Sequence, residues 1–256
     1  MRIKLYINKS VQENAAMYYE QAKEIRQKRE GLVKAIEETK KEIKQAEKKQ
    51  KQEAERKIVK IKREKKWFEK FHWFSTSSER LAVGGRSAQQ NDLLFAKHMK
   101  ENDLFFHADI QGGSAIILKD GINASEQELL ECAQFAASFS NAWKNANAYV
   151  DVYTVKKEQV SKHAHGGYIA TGAFAITGKF TWFRSTKLGL KIGLGKENFP
   201  VITPSICKKE IKNTVSLAPS RSGKEKGAIA KILAKQFNCH PDDLLEILPN
   251  GRTKIV

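Results

Sequence analysis

Cysteine is scarce: Cys132, Cys207 and Cys239 are the only three in 256 residues. Odd in number and far apart, they supply neither a disulfide framework nor a C-x-x-C metal pair. Long apolar runs are missing too; none approaches the ~20 residues that span a bilayer. The opening stretch "MRIKLYINKSVQENA" lacks the apolar core and small-residue cleavage site of a signal peptide. Acidic residues fall short, with 29 Asp+Glu against 46 Lys+Arg and a formal net charge of +17. These deficits lead us to expect a cytoplasmic, reduced chain with no metal, no cofactor and no membrane partner. The charge is far from the near-neutral balance of an ordinary metabolic enzyme and favours a polyanion as partner. The alternative is that Lys/Glu-rich helices serve solubility or reflect a thermophilic source.

Much of the surplus lies at the start. Residues 1–66 hold 21 basic and 11 acidic side chains. "RIKLYI" (2–7) alternates polar and apolar and predicts a short strand. A long helix can start near Ser10, where Val11, Ala15, Tyr18, Ala22, Ile25, Leu32, Ile36, Ile43 and Ala46 follow alternating steps of four and three. Only Arg29 and Thr39 interrupt this seam, which argues a coiled coil. The seam fades in "EKKQKQEAERK" and resumes with Ala54, Ile58, Ile61 and Phe68. One long helix with a stutter or a hairpin turning near 48–53 would fit, and the hairpin is weakly preferred. "KIKREKK" (60–66) reads as a stripe facing phosphate.

Composition changes at Trp67. "WFEKFHWFSTSS" (67–78) predicts a helix end docking its aromatics into a core. Beyond it, strand patterns ("RLAVGG", "NDLFFHADI", "GSAIILKD", "NAYVDVYTV") alternate with helical ones ("SAQQNDLLFAKHMKE", "SEQELLECAQFAASFSNAW"). β-rich sequence then follows in "GYIATGAFAITGKFTWF" and "KLGLKIGL". The expected fold class is α+β: a mixed α/β globular domain with an N-terminal α-helical coiled-coil arm. After Pro204, "SLAPSRSGKEKGAIAKILAKQF" predicts a basic loop and a helix, and "HPDDLLEILPNGRTKIV" a short helix and a turn. The expected division is arm 1–66, domain 67–203 and basic extension 204–256.

The most informative motif is "GGRSAQQN" (84–91). Ser87 caps a helix, and Gln90 completes a capping box before Leu93-Leu94-Phe95. Gly84 and Gly85 thus sit between a strand and a helix N-terminus, where free N–H groups favour an anion. Arg86 adds a fork suited to phosphate. An ordinary turn with a cap fits equally well, and no Lys-Ser/Thr pair follows as a nucleotide-hydrolysing loop would require. "SRSGKEKG" (220–227) likewise fails that pattern. His107 and Asp109 lie two apart on a strand, with Ser114 beyond a double glycine. Without a G-x-S-x-G elbow these assign no catalytic residue, and a hydrolase stays the lesser alternative. His163 and His165 could ligate a metal, but with no third cluster they read as polar loop residues beside Lys162.

Taken together, "WFEKFHWFSTSSERLAVGGRSAQQND", "DLFFHADIQGGSAIILK", "SNAWKNANAYVDVYTVKKEQVSK" and "GYIATGAFAITGKFTWF" resemble, in order and spacing, the NFACT-R domain of the NFACT family. The segment from Ser10 to Lys49 is similar to that family's coiled-coil middle, and the likeness favours its archaeal and eukaryotic branch. The resemblance implies binding rather than chemistry: these ribosome-associated quality-control factors recognise large subunits with an obstructed peptidyl-tRNA. It implies partners in the large ribosomal subunit, rRNA and/or tRNA, with a ubiquitin ligase, a coiled-coil partner or a second copy as further candidates. Carried onto this chain, the candidate RNA contacts are Arg86, Gln89, Gln90, Asn91, His107, Asp109, Ser114 and Lys162, with His163 beside them. The family's N-terminal domain, which holds its tRNA-recruiting Asp-Arg motif, has no counterpart here, so tailing of stalled chains is not expected of this chain. An excised fragment, or else a naturally short paralogue, is the expectation. "HAHGG" (163–167) also departs from the family pattern.

Overall fold

The computed structural model describes residues 3–55, 65–164, 167–195 and 197–256. It divides into two units, Met1–Val59 and Lys60–Val256. In the first, helix α1 (Val11–Glu55) runs 45 residues, about 67 Å at 1.5 Å per residue. Ser10 and Glu13 cap it reciprocally: the Ser10 N–H donates to the Glu13 carboxylate (2.7 Å) and the Glu13 N–H to Ser10 Oγ (3.2 Å). The strand expected at the start does not form. Isolated strands lack ladder partners, and here Asn14 Nδ2 takes the carbonyls of Tyr6, Lys9 and Ser10, making a turn instead. The expected hairpin is also corrected, because the helix passes unbroken through 48–53, where neither Gly nor Pro interrupts it. The seam residues Ile25, Leu32, Ile36 and Ile43 are exposed. Ile58, Ile61 and Lys60–Glu64 of the basic stripe lie outside the described residues.

The second unit is α+β. Its central sheet has six antiparallel strands in the order β1-β2-β4-β3-β5-β10. These are β1 (His72–Ser75), β2 (Leu81–Gly84), β3 (Leu104–Ala108), β4 (Ile116–Leu118), β5 (Tyr149–Lys156) and β10 (Thr181–Lys187). Both faces of the sheet are covered, and the period-two alternation shows which side chain goes where. Phe105, Ile117 and Val83 join Leu94 of α2 (Ala88–His98) in one cluster. Their neighbours Phe106, Ile116 and Ala82 join Phe135 of α3 (Glu126–Ser138) in the other. Each buried Phe or Leu contributes about 1.5–3 kcal/mol.

The aromatic run 67–78 departs from its expected helix end: after a turn it becomes β1, and Phe71 and Phe74 are buried. The predicted long helix after Ser125 breaks at Phe139, and Ser140 caps a second short helix, α4 (Asn141–Lys144). Two-residue strands β6 (Val160–Ser161), β7 (His163–Ala164), β8 (Gly167–Tyr168) and β9 (Ala175–Ile176) pair β6 with β9 and β7 with β8.

A second antiparallel sheet follows in the order β12-β11-β13-β14. It comprises β11 (Leu190–Leu194), β12 (Pro200–Pro204), β13 (Lys212–Lys224) and β14 (Thr253–Ile255). The loop expected around 216–224 is therefore strand, held by β11 on one side and β14 on the other. Helices α5 (Lys226–Phe237) and α6 (Pro241–Ile247) bury Leu233, Phe237 and Leu244 in the same cluster as α3. Trp143 Nε1 donates to Thr253 Oγ1 (3.1 Å), tying the last strand to α4.

Candidate functional site

The β2–α2 turn is built from close backbone approaches. A Cβ on Gly85 would stand 2.2 Å from Asn91 Oδ1 and 2.6 Å from Asn91 N, so only glycine lets α2 start here. Asn91 Oδ1 accepts the Ala115 N–H (3.2 Å), and Ser114 Oγ donates to the Gly85 carbonyl (2.5 Å). Ser87 caps α2 by accepting the Gln90 N–H (3.3 Å). Gln90 does not close the expected box. Its Oε1 accepts from Arg86 N (3.0 Å), one residue further back, and its amide donates to the Lys70 carbonyl.

Arg86 folds over the 69–71 turn. Its Nη2 donates to the carbonyls of Glu69 (3.1 Å) and Phe71 (3.0 Å). Its Nε is buried with no hydrogen-bond partner among the described residues, as is His72 Nδ1. Burial lowers the Arg86 pKa, with attraction to Glu246 opposing. Burial first, then the charges of Arg86 and Lys226, hold the His72 pKa well below the usual imidazole value. Burial and the Arg86 charge likewise lower that of Lys226, whose Nζ donates to Asn250 Oδ1 (3.1 Å).

Arg86, His72 and Asn250 border a cavity of about 590 Å³. The Gly85-Arg86-Ser87 turn and Asn91 form one wall, Gly112-Gly113-Ser114 another, and 171–174 a third; His72, His107, Tyr153 and Asn250 complete it. Gly112 has φ +82°, and a Cβ there would lie 2.1 Å from Asn141 Nδ2, so the second wall also depends on glycine. The His107 and Tyr153 ring centroids are 5.9 Å apart, and Phe105 stacks on His107 at 6.4 Å. Burial lowers the His107 pKa against the opposing pull of backbone groups and Asp109. Burial, with Asp109 behind it, pushes the Tyr153 hydroxyl up to about 12.

The fold thus gathers Gly85, Arg86, Ser87, Asn91, His107 and Ser114 around one cavity. The other candidates stand apart from its lining. Gly84 ends β2 packed against Ile116; Gln89 and Asp109 are exposed; Gln90 is turned onto Arg86 and Lys70. Lys162 ion-pairs with Asp92 (2.7 Å), donates to the Ala170 and Ala173 carbonyls, and lies 4.8 Å from the Phe174 ring. His163 is an exposed residue of β7, and His165 lies outside the described residues. Ser114 Oγ is committed to a carbonyl, whereas a serine nucleophile needs its base within hydrogen-bond reach. Among the described residues no group of three or more His, Cys, Asp or Glu gathers as a metal site would.

Sequence reasoning missed His72, Tyr153, Lys226 and Asn250. His72 carried a faint signal as a polar residue opening an apolar strand. Lys226 and Asn250 carried none, since only tertiary packing brings Asn250 to the cavity and Lys226 against it.

A basic α+β unit with a polar-edged cavity has the composition expected of a nucleic-acid-binding module. Residues 70–178 match the family model described as "NFACT protein RNA binding domain", and the chain belongs to the NFACT family. It is 38% identical over 206 residues to the archaeal Rqc2 homolog aRqcH of Methanocaldococcus jannaschii, covering 77% of this chain and 30% of that protein. It is 38% identical to the Ribosome quality control complex subunit NEMF homolog of Drosophila melanogaster, over 71% of this chain and 18% of that protein. Against the human Ribosome quality control complex subunit NEMF the identity is 35%, over 65% and 16%. The chain spans less than a third of the length of each of these relatives.

Proposed function

We propose that this chain is the RNA- and ribosome-binding portion of a ribosome-associated quality-control factor, acting without catalysis in the cytoplasm on large subunits that retain peptidyl-tRNA. In this reading residues 1–66 are a basic arm, 67–203 the RNA-binding domain, and 204–256 its C-terminal extension. The observation that carries it is the Gly85-Arg86-Ser87 turn opening onto the cavity, in a chain of formal charge +17. The relatives named for ribosome quality control support the setting.

The reading is tested by binding to tRNA and to purified large subunits over a salt series. Affinity should fall about 0.7–0.9 log units per tenfold salt for each phosphate neutralised. Salt-independent binding, or no retention on large subunits, would sink it. The exposed seam of Ile25, Leu32, Ile36 and Ile43 favours a second role for the arm, pairing with another helix. That helix would come from a second copy or from a partner such as a ubiquitin ligase. Sedimentation of the chain alone separates self-pairing from the rest.

A further inference from the structure

One end of the cavity is edged by Arg86 of the β2–α2 turn, His72 of β1 and Asn250. Lys226, from the first turn of α5, stands behind Asn250. Arg86 Nη2 is satisfied by two neutral carbonyls while Nε is buried and bare. Lys226 donates to a neutral amide oxygen, Asn250 Oδ1. Glu246, the carboxylate that reaches Arg86 through space, is itself ion-paired with Lys65 at 3.1 Å. A buried donor without an acceptor costs free energy, and the Arg86 Nε–H, on a residue of the cavity wall, calls for an acceptor from outside. Cations assembled around neutral partners make that acceptor an anion.

The other end is aromatic. Phe105, His107, Tyr153 and Phe174 line the cavity: Phe105 stacks on His107, meets Phe174 edge-on, and Tyr153 is tilted against His107. Aromatic rings beside a cationic pocket are how proteins hold single bases drawn out of a strand. A volume of about 590 Å³ is within the range of small-ligand sites.

We propose that the cavity receives one nucleotide unit, its phosphate against Arg86, His72 and Asn250 with the Lys226 charge behind Asn250, and its base against the rings of His107 and Tyr153. The phosphate end needs α5 and the turn that carries Asn250, both outside the segment matched by the RNA-binding family model. That the unit belongs to an RNA strand rests on the function proposed above. The cavity chemistry does not.

Nucleoside 5′-monophosphates, the corresponding nucleosides, inorganic phosphate and a short single-stranded RNA are titrated into the full chain by calorimetry and NMR. The monophosphate should bind about tenfold or more tightly than the nucleoside or phosphate alone, each of which meets only one end. Lys226→Gln, which removes the charge behind Asn250, should weaken it severalfold at an unchanged Tm. His107→Ala, checked by Tm in the same way, should weaken the monophosphate but not inorganic phosphate. Displacement of RNA by the monophosphate assigns the seat to a residue of the strand. Monophosphate binding that leaves bound RNA untouched overturns the RNA source and assigns it to a free nucleotide. No monophosphate binding at millimolar concentration, with RNA affinity unmoved by Lys226→Gln and His107→Ala, overturns the pocket while the RNA reading stands. Monophosphate binding in a chain that holds no RNA or large subunit does the reverse.

Discussion

At the scale of single residues, charge in this protein is sorted by what answers it. Arg80 ion-pairs with Glu128 at 2.8 Å, and Thr76 Oγ1 donates to the same carboxylate at 2.7 Å. Arg80 Nε also lacks a hydrogen bond but lies 3.5 Å from the Asp120 carboxylate, whereas Arg86, six residues on, finds only carbonyls and leaves Nε bare. The first arrangement holds the fold and the second waits for a ligand. Burial of Glu128 pushes its pKa up, but hydrogen bonds from the Ser125 backbone, Thr76, Arg80 and the Ser125 hydroxyl outweigh it and hold the pKa at about 2. Folding therefore favours the carboxylate, and its contribution is fully present above the unfolded value near 4.5. Stability should fall as pH drops from about 4.5 to 2, by an amount on the order of a few kcal/mol. Glu128→Gln should be less stable at pH 7 and flatter across that acid window in urea titrations. A variant with the wild-type acid slope would show that Glu128 contributes nothing to it.

At the scale of elements, Lys162 shows why family strings do not reveal roles. It stands in "QVSK", which by resemblance suggested an RNA contact. Its ammonium instead bridges Asp92 of α2 to the Ala170 and Ala173 carbonyls. That bridge holds the 171–174 wall of the cavity against α2. Lys162→Ala should cost about 1–3 kcal/mol, the loss of a charged, partly buried partner. It should also speed hydrogen exchange at 170–174; protection unchanged there would exclude the bridge. Elements with local signals were legible. α1 announced itself by its Ser10 start and heptad seam, α2 by Ser87, and the central strands by short apolar runs, as strands buried on both faces show. The strand over 212–224 was not, because Ser, Pro and Gly read locally as loop. Its pairing with β11 and β14 is non-local, and the register shift between Pro219 and Lys224 absorbs the proline. "RIKLYI" failed in the opposite sense: the alternation was real, but no neighbouring strand met it.

At the scale of the whole molecule, half of the site was readable and half was not, for one reason. Gly85, Arg86, Ser87 and Asn91 sit in one contiguous string, whereas Asn250, with Lys226 behind it, reaches the cavity only through tertiary packing. The charge is just as unevenly shared. The first 66 residues carry 21 basic against 11 acidic side chains, leaving 25 against 18 for the rest. A polyelectrolyte sees the arm's surplus without regard to sequence, while the proposed seat in the cavity takes a single nucleotide unit. The two contributions should therefore separate. Replacing Lys34, Lys41 and Lys44 of α1 by Gln should weaken binding to tRNA, rRNA and heparin alike. The salt slope should become shallower by about 0.7–0.9 for each phosphate no longer neutralised. Mononucleotide affinity should stay where it was. If the slope is unchanged in the triple variant, the arm's charge takes no part in RNA binding and its face serves helix pairing alone.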